Sequence, residues 1–177
     1  PTDIVVQLLT VADGDSADIT HVWVRECAED RIPTSNSPWA YQEITTNTAD
    51  FYASNVLTDS GLTVNVVPPG PGYVVEVKCK MTTAASGSQM NGVFVLKENG
   101  TEVDSAYIYL NDTGTRERGI VPFDYVKRDP TPGTTYTYTV EGAGVGDSMD
   151  LNCIATAVAE TPKTWIRCRA VLESGGF

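Results

Sequence analysis

From Leu62 onward the chain breaks into eight extended runs separated by turn residues at short, fairly even intervals, and none of it has helical periodicity. The runs are 62–67, 72–82, 90–98, 101–110, 116–126, 134–142, 148–158 and 163–173, punctuated by clusters such as Pro68-Pro69-Gly70-Pro71-Gly72, Asn99-Gly100 and Pro130-Thr131-Pro132-Gly133. Glycine supplies positive φ and proline a fixed φ, so these clusters reverse the chain. Regular short strands without helices between them predict an all-β sandwich or barrel, and eight is the strand count of a jelly roll. A length of 177 residues gives room for one well-buried core plus an appendage.

Alternation within the runs assigns their faces. Val75, Val77, Cys79 and Met81 point one way and Glu76, Lys78 and Lys80 the other, the pattern of a strand with one wet side. Tyr136, Tyr138 and Val140 oppose threonines, and Ile166, Cys168, Ala170 and Leu172 oppose Trp165, Arg167, Arg169 and Val171. Pro122 cannot donate to a ladder, which predicts an edge or bulged strand for its run.

Val93 to Leu110 is a strong hairpin signal, two runs rich in β-branched and aromatic residues flanking Asn99-Gly100. Yet Val93-Phe94-Val95-Leu96 and Tyr107-Ile108-Tyr109-Leu110 are apolar at consecutive positions, and the run LNCIATAVA also lacks a polar face. A lone antiparallel sheet buries one face only. A partner subunit could cover the second face; so could a loop or the N-terminal segment of the same chain.

Residues 1–60 read as an acidic arm and 61–177 as the main domain. The arm holds ten acids against Arg25 and Arg31, and so carries most of the net charge of -11. Its runs around Ile4, Val6, Leu8, Val22 and Trp23 predict a β-hairpin across Asp13-Gly14-Asp15-Ser16, followed by a Pro- and Ser-rich connector, with a weak strand signal between Trp39 and Val56. An acidic chain without clustered Lys and Arg excludes direct nucleic-acid binding as an expectation. No apolar run reaches the roughly 18 residues of a membrane helix, and the first residues, PTDIVVQ, have no basic leader, so neither a membrane anchor nor secretion is expected.

Chemical signatures are sparse. Cys27, Cys79, Cys153 and Cys168 show no C-x-x-C spacing and His21 is the lone histidine, so no metal site is expected and the cysteines read as buried free thiols. No serine stands in a nucleophile elbow. Gly142 to Asp147 lacks the register and the lysine of a phosphate loop, and the acidic turn at Asp13 to Asp18 lacks the ligand order of an EF-hand. The chain is read as a non-enzyme without cofactors.

The order Gly72-Tyr73-Val74-Val75-Glu76-Val77, then Val93 to Ser105, then Pro132 to Val140 and a closing Trp165 to Leu172 resembles the trimeric jelly-roll structural proteins of tailed bacteriophages, related to the C1q and tumour-necrosis-factor sandwiches. The resemblance implies an eight-stranded antiparallel jelly-roll β-sandwich preceded by the hairpin arm, and a homotrimer. It implies a virion protein made in the bacterial cytoplasm, a capsid decoration (cement) protein that contacts the major capsid protein or another virion protein. The expected oligomer interface is then Phe94, Leu96, Tyr107, Tyr109 and Ile154, and the expected capsid contacts are Ile4, Val6, Leu8, Val22 and Trp23. Two alternatives stay open: a receptor-binding fibre tip that takes host glycans through Trp39, Tyr41 and Tyr52, and a secreted lectin-like module.

Overall fold

The structure, a computed structural model, describes residues 37–46, 48–85, 89–111, 118–151 and 163–173. The chain divides into two compact units, Pro1–Ile32 and Pro33–Phe177, of which the first lies outside the described residues. The second is all β. Its strands are β1 (Ala40–Ile44), β2 (Thr48–Tyr52), β3 (Thr58–Val66), β4 (Tyr73–Ala85), β5 (Gln89–Glu98), β6 (Thr101–Asn111), β7 (Arg118–Lys127), β8 (Tyr136–Val145), β9 (Met149–Leu151) and β10 (Thr164–Leu172).

These form two antiparallel sheets, as expected for a β-sandwich. The second sheet has the order β3-β8-β5-β6. The first is organised on β4: Val75 to Lys80 pair with β7 on one edge and β10 on the other, and β1 continues beyond β10. Thr83 and Ala84 pair with both β7 and β9, so β9 takes over the β10 edge where β10 ends, and β2 follows β9. Pro122 lies in β7, which among the described residues pairs with β4 alone, so its missing N–H faces the open edge, as predicted.

The Asn99-Gly100 hairpin forms as read. Both residues have positive φ, 48° and 82°, which matches the turn to the right-handed twist of β5 and β6. Asn99 is also fastened to β8: its amide donates to the Thr137 carbonyl at 2.8 Å, and the Thr137 amide donates to Asn99 Oδ1 at 2.9 Å.

The core lies between the sheets and is filled by the predicted faces, Val75, Val77, Cys79 and Met81 of β4, Tyr136, Tyr138 and Val140 of β8, and Ile166, Cys168 and Ala170 of β10. Leu172, assigned to the same face as Ile166, is 49% exposed because β10 ends there. Cys79 and Cys168 are free and buried, and burial pushes both thiols well above their ordinary pKa, Cys168 to about 12.

Two readings are corrected. The boundary at residue 60 is too late, because β1, β2 and the start of β3 belong to the sandwich. The count of eight strands is too low by these first two, since the described residues hold ten. Their signal is weak because each is five residues long, and β1 places the polar Gln42 on its inner side. Gln42 has a structural task there. Its Nε2 donates to the Gly61 carbonyl at 3.1 Å and its Oε1 accepts from the Thr63 amide at 2.5 Å, so a side-chain amide stitches the edge of the first sheet to that of the second.

Tyr52 is the main contribution of β2. Its ring meets Phe94 edge to face at 5.3 Å, and it lies so close to β8 that a Cβ at Gly142 would stand 2.7 Å from it. Glycine at 142 is therefore a packing requirement. The Tyr52 hydroxyl is buried with no hydrogen-bond partner among the described residues. Tyr52→Phe removes an unsatisfied polar group and keeps the ring, so urea denaturation is expected to show unchanged stability or a gain of up to about 1 kcal/mol.

Candidate interaction surfaces

The hairpin that raised the question of a second covered face resolves into two kinds of residue. Phe94 and Leu96 point inward, are 0% exposed and belong to the core of their own chain, so their assignment to an oligomer interface is corrected. On the outer side of β5, Val95 is buried too, beside Lys97 and opposite Glu141, whose ion pair at 2.6 Å places two aliphatic stems around it. Tyr107 and Tyr109 point outward and stay 78% and 57% exposed. Tyr107 stands opposite Val93 and Val93 opposite Ala143, an apolar row across β6, β5 and β8, whereas in the next row the exposed Asn91 separates Tyr109 from the exposed Val145. Of the remaining candidates, Ile154 and the docking set Ile4, Val6, Leu8, Val22 and Trp23 lie outside the described residues. Among the glycan candidates, Tyr52 is corrected to a core residue, whereas Trp39 and Tyr41 stand at the surface of the first sheet.

The outer side of that sheet is unlike the tyrosine patch. Register places Tyr41, Arg167, Lys78 and Asp124 in one row across β1, β10, β4 and β7, with Trp165 and Lys80 in the next. The Arg167 guanidinium carbon lies 4.4 Å from the ring centre of Trp39 and 5.1 Å from that of Trp165, and Arg169 approaches Trp39 at 4.4 Å. The result is a ladder, Trp165-Arg167-Trp39-Arg169, of alternating rings and cations. Its acids are committed to partners. Glu76 accepts from Arg169 at 2.9 Å, Asp124 pairs with Lys78 at 3.3 Å, and Glu43 takes both Lys163 at 3.1 Å and the Tyr41 hydroxyl. The hydrogen bond to Glu43 holds the Tyr41 phenol above its ordinary pKa and the Glu43 carboxyl below its own. Arg167 has no carboxylate among the described residues, and its Nε is buried without a hydrogen-bond partner. Sequence reading missed this ladder because its members come from opposite ends of the domain.

A third group clamps one edge of the sandwich. Glu98 of β5 accepts from Lys127 of β7 at 2.7 Å and from the Tyr138 hydroxyl of β8 at 2.9 Å, and Lys127 lies 4.9 Å from the Tyr136 ring centre. The hydrogen bond to Glu98 raises the Lys127 pKa; burial, and then the same carboxylate, raises that of the Tyr138 phenol. Among the described residues no group of three His, Cys, Asp or Glu side chains is placed to hold a metal ion, and no helix is long and apolar enough to cross a membrane.

No protein-family model matches the chain, and no curated protein does. Among solved structures it is similar to the dimeric latent PorU of Porphyromonas gingivalis, with 12% identity and a TM-score of 0.38 over 77% of this chain. That overlap covers 12% of the PorU chain, and neither fold, family nor activity passes from one to the other.

Proposed function

We propose that this chain is a non-enzymatic structural protein of a tailed-bacteriophage virion, a homotrimeric jelly-roll module that decorates the assembled capsid. The observation that carries the reading is the pair Tyr107 and Tyr109. Two large aromatic side chains stand mostly in water on the outer side of a sheet, Tyr107 opposite Val93, where a monomer gains nothing from them. Aromatic residues are enriched at interface cores, and a closed ring of identical copies buries each patch. The jelly-roll reading is supported by nested strand pairs: β1 with β10, β3 with β8, β4 with β7 and β5 with β6. Decoration acts by mass action, since a protein that binds the assembled shell and not its free subunits favours the shell.

Sedimentation equilibrium of the full chain is expected to give the mass of three copies, and the purified trimer is expected to co-sediment with undecorated phage capsids. Tyr107→Glu with Tyr109→Glu is expected to give single chains of nearly unchanged urea midpoint, since neither ring belongs to the core. A wild-type chain that remains single at high concentration overturns the reading.

A further inference from the structure

The ladder on the first sheet carries an inference that does not depend on the trimer. The Arg167 guanidinium carbon lies 4.4 Å from one indole centre and 5.1 Å from another, so two aromatic contacts restrain the group. Its Nε is buried without a hydrogen-bond partner among the described residues and so out of reach of an incoming group, which leaves the two terminal nitrogens as the donors that can meet one. The nearest acids are bound elsewhere: Glu76 by Arg169, Asp124 by Lys78 and Glu43 by Lys163. The neighbour of Arg167 across the strand pair is another cation, Lys78, and Lys80 follows two residues along. With Lys78 paired to Asp124, Arg167 and Lys80 are the cations of this group without an acid partner among the described residues, on a chain of net charge -11. An arginine restrained between aromatic rings with its terminal N–H groups uncommitted is preorganised for the hydrogen bonds of a planar carboxylate.

The same ladder selects the kind of carboxylate. A sugar ring binds an indole by lying on its face, but Trp39 has guanidinium groups of both Arg167 and Arg169 at 4.4 Å, and Trp165 is met by Arg167 and by the Tyr41 ring at 6.4 Å. Both indoles thus already have cationic or aromatic neighbours that compete with a sugar ring for their faces. An aspartate or glutamate side chain needs only the terminal N–H groups of Arg167 and a second cation nearby, which Lys80 supplies, Lys78 being paired with Asp124. We propose that Arg167, with Lys78 and Lys80 beside it, is a carboxylate-binding site on the outer face of the first sheet that takes an acidic segment of a partner polypeptide.

The test uses the full chain and a fluorescein-labelled octaglutamate peptide, followed by anisotropy at low ionic strength, with tryptophan fluorescence as the second signal because Trp39 and Trp165 flank the site. Saturable binding with a change in tryptophan emission is expected. Arg167→Lys keeps the charge and loses the fork, and is expected to weaken binding about tenfold or more. Arg167→Met is expected to weaken it further, and Lys80→Met by a few-fold. If Arg167→Met proves unfolded by circular dichroism, Arg167→Lys alone decides. No saturable binding, wild-type affinity in Arg167→Lys, or tighter binding of oligogalacturonate of equal charge than of octaglutamate would each overturn the proposal.

Discussion

Phe94→Ala is expected to cost about 3–5 kcal/mol of folding stability, the largest effect of any substitution considered. The ring is fully buried, closes edge to face on Tyr52, and packs where a Cβ at Gly142 would come within 2.9 Å of it, so the surroundings have little freedom to collapse into the space it leaves. The loss should appear as a lower urea midpoint at unchanged slope, and it should not depend on protein concentration. That independence separates Phe94 from Tyr107, whose replacement is expected to act on association alone. A Phe94→Ala protein that kept its stability and merely dissociated would return the residue to an interface.

Glu98→Ala is expected to cost about 3 kcal/mol. Its carboxylate is the shared acceptor of the Lys127 ammonium and the Tyr138 hydroxyl, with side-chain exposures of 12% for Glu98 and 24% for Lys127, and truncation leaves both donors facing a drier interior than water. Thermal and urea denaturation read the loss. Replacing both members of the ion pair, as in Glu98→Leu with Lys127→Met, is expected to recover a large part of it, because no buried charge is then left unmatched. The pH dependence has a definite sign. Hydrogen bonding to Glu98 raises the folded-state pKa of Lys127, so the contribution is fully present below the ordinary lysine value, about 10.4, and is lost as pH rises through the raised folded value. Stability of the wild type should therefore fall on the alkaline side more steeply than that of Glu98→Ala, and equal slopes would remove the clamp from the account.

Much of the sandwich is legible in local chemistry. The Asn99-Gly100 turn, the Val75 to Met81 alternation and the edge position of the Pro122 strand each follow from residues within one strand and its turn, and they stand where read. What escaped depends on contacts between distant segments. Consecutive apolar residues at Val93 to Leu96 suggested two faces awaiting partners, but one holds Phe94 and Leu96 in the core, and the other is partly roofed by the Lys97–Glu141 pair, a link visible only once the β5 and β8 register is known. Tyr107-Ile108-Tyr109-Leu110 is apolar throughout, so alternation separates the tyrosines from Ile108 and Leu110 without telling which pair faces the core, and the packing of Ile108 and Leu110 decides it. Arg167 carried no such mark. Its environment is supplied by Trp39, from a segment whose polar flanks read as a connector.

Ser37 has a bearing on how this module withstands force. Its amide donates to the Ala170 carbonyl at 2.9 Å and its hydroxyl accepts from the Ala170 amide at 2.7 Å, so the chain enters the sandwich beside the point where it leaves. Because β1 runs antiparallel to β10, tension between those two points peels the strands apart one rung at a time rather than sliding them past each other. A load transmitted through both ends would open the domain easily, whereas one borne across its broad faces would meet the whole ladder at once.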